Sequence, residues 1–381
     1  MTKRPVGRPP KKESVLDHKI KLTEPVIEKL KKESVADDFI ANVVSSMEKQ
    51  FGKGSALVPD ANTILCKIEH WVSTRSFLID YAISGDLPSP RPIIPFGRLT
   101  EISGSPGVGK TSLLSQIMAE TQAIGGIAVI LDTEQALDLS YLEKLGVNLK
   151  KLIVVQADTI EDVFTRIEAL VKVIKERNAS QLVCIGWDSL GGTPTRAQAE
   201  AEAGDHFYAE AAKVVGKNLQ RIIQMIAKEK IALIINNHLY RKMDIKYGDP
   251  WETYGGEKVK FLSTLRIRLQ KMGQITEKGE DEEGQIIGHK IKVKIIKNKM
   301  APILKQIEVP CIGGLGFSKD YAVMDYAIKT KLITSSGSWK KLKTYNGIEI
   351  TFQNWKDFQE KVINHAEYLQ FSEQVISQYI K

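Results

Sequence analysis

Cysteine is scarce in this chain: Cys66, Cys184 and Cys311 are the three among 381 residues. None belongs to a Cys-x-x-Cys pair or a His/Cys cluster, which argues against a structural zinc site and a disulfide framework. Each reads as a small core residue in a reducing compartment, so a cytoplasmic location is expected. Long apolar runs are also missing, and with them any expected membrane-spanning helix. The basic, proline-rich start has no apolar stretch behind it, which a secretory leader would need. No internal repeat is visible.

What is present is an ordinary globular composition, 43% hydrophobic and 26% charged, long enough to bury a sizeable core. The net charge is +8, which leans toward a polyanionic partner. Residues 1–12 (MTKRPVGRPPKK) carry five basic and no acidic groups. Three prolines and a glycine in this stretch predict a disordered arm. Residues 23–34 suit a short helix. Residues 36–51 place Phe39, Val43, Val44, Met47 and Phe51 at helical spacing, and Gly52 and Gly54 should end that helix.

From residue 98 the pattern alternates. Short apolar runs at 99–103, 127–132, 152–156, 182–188 and 231–236 are separated by helical segments at 110–124, 138–145, 160–177 and 207–229. Near-continuous apolar strands alternating with helices imply a parallel sheet covered on both faces. Period-2 segments at 261–270, 288–297 and 304–310 are expected to extend that sheet in antiparallel pairs. The last stretch, 331–381, reads as a small separate lobe of polar turns and two weak helices.

The strongest motif is Gly104-Ser105-Pro106-Gly107-Val108-Gly109-Lys110-Thr111, followed by Ser112. It leaves a predicted strand and opens a predicted helix, the context a phosphate-binding loop requires. Glycines let backbone N–H groups cradle phosphate oxygens, and the helix start adds its positive dipole end. The Lys110 ammonium neutralises β/γ-phosphate charge, and the Thr111 hydroxyl suits Mg²⁺. ATP with Mg²⁺ is therefore the expected ligand. A carboxylate at a second strand end should complete the metal shell, and Asp188 closes the run LVCIGWD. Glu134, just beyond the strand 127–132, would lie at the same sheet edge and can orient an attacking water. Asp132 either shares that role or caps the turn.

At this point the residues resemble the bacterial RecA recombinase family. The resemblance covers about residues 40–340 and rests on several segments in one order. These are EKQFGKGS (48–55), GRLTEISGSPGVGKTS (97–112), VILDTEQALD (129–138), YLEKLGV (141–147), INNH (235–238), YGG (254–256) and VKIIKNK (293–299). It implies that Glu134 activates water, that Asp138 and Tyr141 contact the adenine, and that Lys297 and Lys299 reach the γ-phosphate of a neighbouring subunit. Bottom-up chemistry agrees in kind, since lysines supplied across a boundary can stabilise phosphoryl-transfer charge. His238 departs from the family, where a glutamine senses the γ-phosphate and signals to a DNA-binding loop. An imidazole can donate one hydrogen bond, but as a group it changes charge near neutrality.

The family's two DNA loops fall at 195–207 and 239–256. The first contributes Arg196. The second offers Arg241, Lys242 and Lys246 with Tyr240, Tyr247, Trp251 and Tyr254, plus Gly255 and Gly256. Basic groups interleaved with planar ones suit single strands, whose bases can stack on them. Arg8, in Gly7-Arg8-Pro9, belongs either to a minor-groove-binding arm or to a generic basic tail. The end, FSEQVISQYIK, lacks the acidic tail common in the family, so that brake on DNA access is expected to be absent.

The expected fold is α/β, a RecA-type core with a mostly parallel central sheet. Residues 1–35 would be arm and linker, 36–75 an N-terminal oligomerisation helix and strand, 76–330 the ATPase core, and 331–381 a C-terminal α/β lobe. The implied activity is homologous pairing and strand exchange on single- and double-stranded DNA by a homo-oligomeric helical filament, with no membrane association. Two other readings share the phosphate loop: a hexameric ring translocase, and a regulatory ATPase that binds no DNA.

Overall fold

The computed structural model describes residues 24–58, 68–85, 93–176, 181–201, 208–242, 248–278, 284–301, 306–344 and 346–380. The basic arm with Arg8, as well as Cys66, Lys246, Tyr247 and the end of the first loop (202–207), lies outside them. The chain divides into two compact units, residues 1–67 and 68–381.

In the first unit the two helices predicted at 23–34 and 36–51 form one helix, α1 (Glu24–Phe51). Nothing between them breaks a helix, since Glu33-Ser34-Val35-Ala36 contains neither glycine nor proline. Gly52 ends it with φ +96°, a conformation glycine adopts without a Cβ penalty. Phe39, Val43, Met47 and Phe51 form an exposed stripe along α1, the two phenylalanines at 68% and 62%.

The second unit begins with β1 (Trp71–Val72), α2 (Phe77–Ser84) and β2 (Ile94–Pro95), then enters the alternating region. There follow β3 (Leu99–Gly104), α3 (Lys110–Ala123), β4 (Ile127–Asp132), α4 (Leu139–Lys144), β5 (Leu152–Gln156), α5 (Ile160–Glu176), β6 (Val183–Asp188) and α6 (Arg196–Glu200). Next come α7 (Tyr208–Lys228), β7 (Ile231–Arg241), β8 (Trp251–Thr253), α8 (Glu257–Leu262), β9 (Leu265–Lys278), β10 (Gly284–Asn298) and β11 (Gln306–Ile312). The sheet order is β11-β10-β9-β3-β7-β6-β4-β5, with β8 paired to the end of β7.

Neighbours from β9 through β3 to β5 are parallel. β10 runs antiparallel to β9, and β11 to β10. The expected antiparallel pairs are thus β9 with β10 and β10 with β11, while β9 itself joins β3 in parallel register. Its start also shifts: residues 261 and 262 end α8, where the Ser263 hydroxyl donates to the Val259 carbonyl at 2.6 Å. Alternating strand residues feed two cores. Ile102, Ile130, Ile234 and Ile267 pack with Leu113, Leu114 and Ile117 of α3. Val129, Leu131, Ile185 and Trp187 pack with Phe164 of α5 and Leu219 of α7. This two-sided cover is why the strands read as unbroken apolar runs.

The C-terminal region adds α9 (Lys319–Lys329), a three-stranded antiparallel sheet of β12 (Ile333–Ser336), β13 (Trp339–Lys343) and β14 (Glu349–Phe352), then α10 (Trp355–Phe358) and α11 (Tyr368–Ile380). Its core joins Val323, Met324 and Ala327 of α9 to Phe352, Phe358 and Val375. Sheet and helices together fit the α/β lobe expected here, although the individual strands, short and rich in lysine and serine, were not placed from the sequence. No helix among the described residues is long and apolar enough to cross a membrane.

Candidate nucleotide-binding and catalytic site

The parallel strands bring their carboxyl ends to one edge, where ligands of such sheets sit. β3 ends at Gly104 and the chain turns through Ser105 and Pro106 into α3. Gly107 (φ +68°) and Gly109 (φ +94°) take left-handed backbone, which strains any residue with a Cβ. A Cβ at Gly104 would lie 2.5 Å from Val108 Cγ1 and 2.9 Å from the Leu269 carbonyl oxygen. At Gly107 it would meet nothing within 4 Å, so the mouth of the loop is open for an anion.

Lys110 is buried and its Nζ donates to the carbonyls of Gly104 and Ser105, both at 3.1 Å. Burial lowers its pKa, against the opposing pull of Asp188 and Glu134. Thr111 Oγ1 donates to Asp188 Oδ2 at 2.6 Å. Burial raises the Asp188 pKa while the Thr111 hydroxyl opposes the rise. These are hard oxygen donors in contact, and one carboxylate with one hydroxyl suits Mg²⁺, which usually completes its shell from phosphates and water. Among the described residues no group of three or more His, Cys, Asp or Glu forms a metal cage. The donor set therefore fits a metal that arrives with a nucleotide.

Asp132 caps. It accepts the backbone N–H groups of Glu134 (3.1 Å) and Gln135 (2.9 Å). That turn sends the Glu134 side chain toward β6 and β7. Glu134 Oε1 accepts from the Ser189 hydroxyl and lies 3.2 Å from His238 Nε2, which is also 3.0 Å from Ser189 Oγ. Partial burial pushes the Glu134 pKa up, but the Ser189 and His238 contacts outweigh it and hold the carboxyl below its ordinary value. It is thus ionised at neutral pH, the form that can take a proton from water. Ser189 was missed as a site residue; its only signal in the sequence was adjacency to Asp188.

A cleft of about 430 Å³ extends from Gly107–Ser112 past Tyr141 to Ile286–His289 and Cys311–Gly313. The Tyr141 hydroxyl meets Ser112 Oγ at 2.8 Å. Asp138 is exposed and caps α4 by accepting from Tyr141 N at 3.1 Å. It also accepts from Ser140 Oγ, which with that cap lowers its pKa. The wall formed by β10 and β11 was not foreseen. Those strands are remote in sequence, and only the sheet order sets them beside the loop.

Lys297 and Lys299 lie on another part of the protomer. Lys297 Nζ donates to the carbonyls of Lys260 (2.7 Å) and Phe261 (2.8 Å) at the end of α8, and Lys299 is exposed. Burial and the nearby charges of Lys299 and Arg266 lower the Lys297 pKa. Within one chain they do not join the phosphate loop's cleft.

Of the residues expected to meet DNA, Arg241 and Lys242 are exposed at the end of β7, where Arg241 pairs with Trp251 of β8. Lys242 also contacts Glu252 at 3.0 Å. Arg196 begins α6 and pairs with Asp162 at 3.2 Å. Gly255 is buried with φ +87°, and a Cβ there would come 2.8 Å from Leu190 Cδ2. Gly256 has φ +76° and would clash with Ala212 Cβ at 2.8 Å. Backbone conformation and close packing account for both glycines.

Residues 38–318 match the RecA N-terminal domain. The chain is 34% identical over 294 residues to Protein RecA of Borrelia hermsii, covering 77% of this chain and 78% of that one. It is 34% identical over 297 residues to Protein RecA of Agrobacterium fabrum, covering 78% and 77%. For Protein RecA of Bordetella petrii the identity is 33% over 329 residues, 86% of each chain. With the phosphate loop, the Thr111–Asp188 pair and Glu134 gathered at one edge of a parallel sheet, these matches show that the chain belongs to the RecA family.

Proposed function

We propose that this protein is an ATP-dependent DNA recombinase that assembles as a helical filament on single-stranded DNA and pairs it with a homologous duplex. It would act in recombination and repair in the cytoplasm. The observation that carries the reading is the contact of His238 with Glu134 and Ser189, on the strand that continues to Arg241. One strand thereby links a hydrolytic carboxylate to a basic hairpin.

ATP would lie with its phosphates over Gly107–Thr111 and its base toward Asp138 and Tyr141. Lys110 would exchange its carbonyl partners for phosphate oxygens, since a charge-assisted bond to phosphate is stronger than one to a neutral carbonyl. Thr111 and Asp188 would hold Mg²⁺, which supplies charge neutralisation at the β- and γ-oxygens. Glu134 would accept the proton of the attacking water. His238 would give up part of its hold on Glu134 to meet the γ-phosphate. Lys297 and Lys299 would serve the nucleotide of the adjacent protomer. The exposed apolar stripe on α1 supports assembly, because such a surface commonly marks a protein contact. Head-to-tail contacts that do not close generate filaments.

The test is ATP turnover with and without single-stranded DNA, in the wild type and in Lys110→Ala. Turnover should rise with DNA, and the variant should lose about 100-fold or more, the scale of removing one charge-stabilising donor. Affinity for DNA should fall steeply with salt. Turnover indifferent to DNA overturns the reading.

A further inference from the structure

Between the nucleotide site and the β7–β8 hairpin lies a buried polar cluster outside the site described above. Glu101, in the middle of β3, is 0% exposed, and Arg266 on β9 is 9% exposed. Arg266 Nε donates to Glu101 Oε2 at 2.5 Å. Asn237 Nδ2 donates to the other carboxylate oxygen at 2.8 Å and to the Tyr254 carbonyl at 2.9 Å. Arg266 also reaches Thr253 Oγ1 at 3.3 Å. Asn237 Oδ1 accepts the backbone N–H of His238 at 2.9 Å.

The core on this face is aliphatic, with Leu99, Leu233 and Ile235 buried on β3 and β7. Burying two ions there costs desolvation that a hydrophobic pair of similar size would avoid. What the pair supplies is direction. Each oxygen of Glu101 holds one partner, and the partners grip the last residue of β8 and the one after it: Arg266 the Thr253 hydroxyl, Asn237 the Tyr254 carbonyl. Asn237 also holds the backbone of His238, whose ring lies on Glu134.

We infer that the Glu101–Arg266 pair, with Asn237, is a positioning device that fixes Thr253–Tyr254 against His238, and that the proposed link between Glu134 and the hairpin depends on this buried pair. The device rests on the proposed recombinase function. Displacement of His238 pulls on Asn237, which holds the Tyr254 carbonyl itself and reaches the Thr253 hydroxyl through the shared carboxylate and Arg266. Arg266 also faces Lys297 in the β9–β10 register, which places the device beside the lysine proposed to meet the neighbouring nucleotide.

Thr253→Val removes the hydroxyl that Arg266 holds; at 1% exposure this side chain is too buried to touch DNA. Thr253→Ser keeps the hydroxyl. Glu101→Gln combined with Arg266→Met removes both charges together and keeps the approximate shape. For each full-length protein, three quantities are measured: the thermal midpoint, ATP turnover without DNA, and affinity for a labelled single-stranded oligonucleotide with and without a slowly hydrolysed ATP analogue. Thr253→Val and the double variant should lower the ratio of the two affinities by about fivefold or more, the low end of typical allosteric coupling. DNA-free turnover and the thermal midpoint should stay near wild type, and Thr253→Ser should restore the ratio. A folded Thr253→Val with the wild-type ratio overturns the inference, as does loss of DNA-free turnover in parallel with the ratio. If the double variant does not fold, Thr253→Val alone decides. A wild type whose DNA affinity ignores the analogue instead overturns the recombinase reading beneath it.

Discussion

Asp80 shows how a single half-buried group can set a pH dependence away from the active site. Its carboxylate accepts from Ser73 Oγ (2.6 Å), Thr74 N (2.9 Å) and Thr74 Oγ1 (2.5 Å). Burial still outweighs those donors and raises its pKa from 3.8 to about 6. The unfolded chain therefore releases this proton before the folded one does. Stability from this group is fully present below pH 3.8 and is lost as pH rises through about 6; the whole effect is roughly 3 kcal/mol. Asp80→Asn, which mimics the protonated acid, should gain on the wild type across that window. Urea midpoints of both proteins along a pH series check this, and a constant gap between them refutes it. Residue position was legible where a motif fixed it, as at Lys110 and Thr111 at the start of α3. Asp80 and Ser189 carry no motif, because their properties come from neighbours that only folding assembles.

At the scale of elements, strands buried on both faces were readable almost residue by residue. The run at 127–132 is β4, and that at 182–188 holds β6 (Val183–Asp188). Helices of one apolar face were equally plain, with α5 spanning Ile160–Glu176 against an expected 160–177. Elements whose identity depends on partners were not. Residues 257–260 of α8 were assigned to no element and 261–262 to the front of a predicted strand, and the strands β12 to β14 of the expected α/β lobe were not placed one by one. The join between α3 and β4 shows how tightly two elements can constrain one residue. A Cβ at Gly126 would lie 2.8 Å from the Leu182 carbonyl oxygen and 2.9 Å from that of Thr121. Both obstacles are backbone and cannot rotate away. Gly126→Ala should cost about 1–3 kcal/mol, the usual range for overpacking, with nucleotide affinity unchanged once folded. Denaturant unfolding and nucleotide titration measure the two separately.

For the whole molecule, the separation of Lys297 from its own phosphate loop makes the proposed assembly testable without imaging. Lys110→Ala and Lys297→Ala should each abolish most DNA-dependent turnover alone. If a site uses Lys110 of one protomer and Lys297 of the next, about one junction in four of a random equal mixture carries both lysines, as head-to-tail order requires. Mixing the two inactive variants should therefore restore turnover. A mixture no more active than its components refutes a shared site.

The linear chain determined the phosphate loop, the order of strands and helices around it, and the acids at strand ends. Each of these is written in local spacing and in the period of apolar residues. Tertiary structure decided what those groups touch. Only the sheet order β9-β3-β7-β6-β4 brings Asp188 to Thr111, Ser189 and His238 to Glu134, and Arg266 to Glu101. Hydrogen bonds between residues 49 to 165 positions apart leave no trace in local pattern, because their geometry arises when the strands pair.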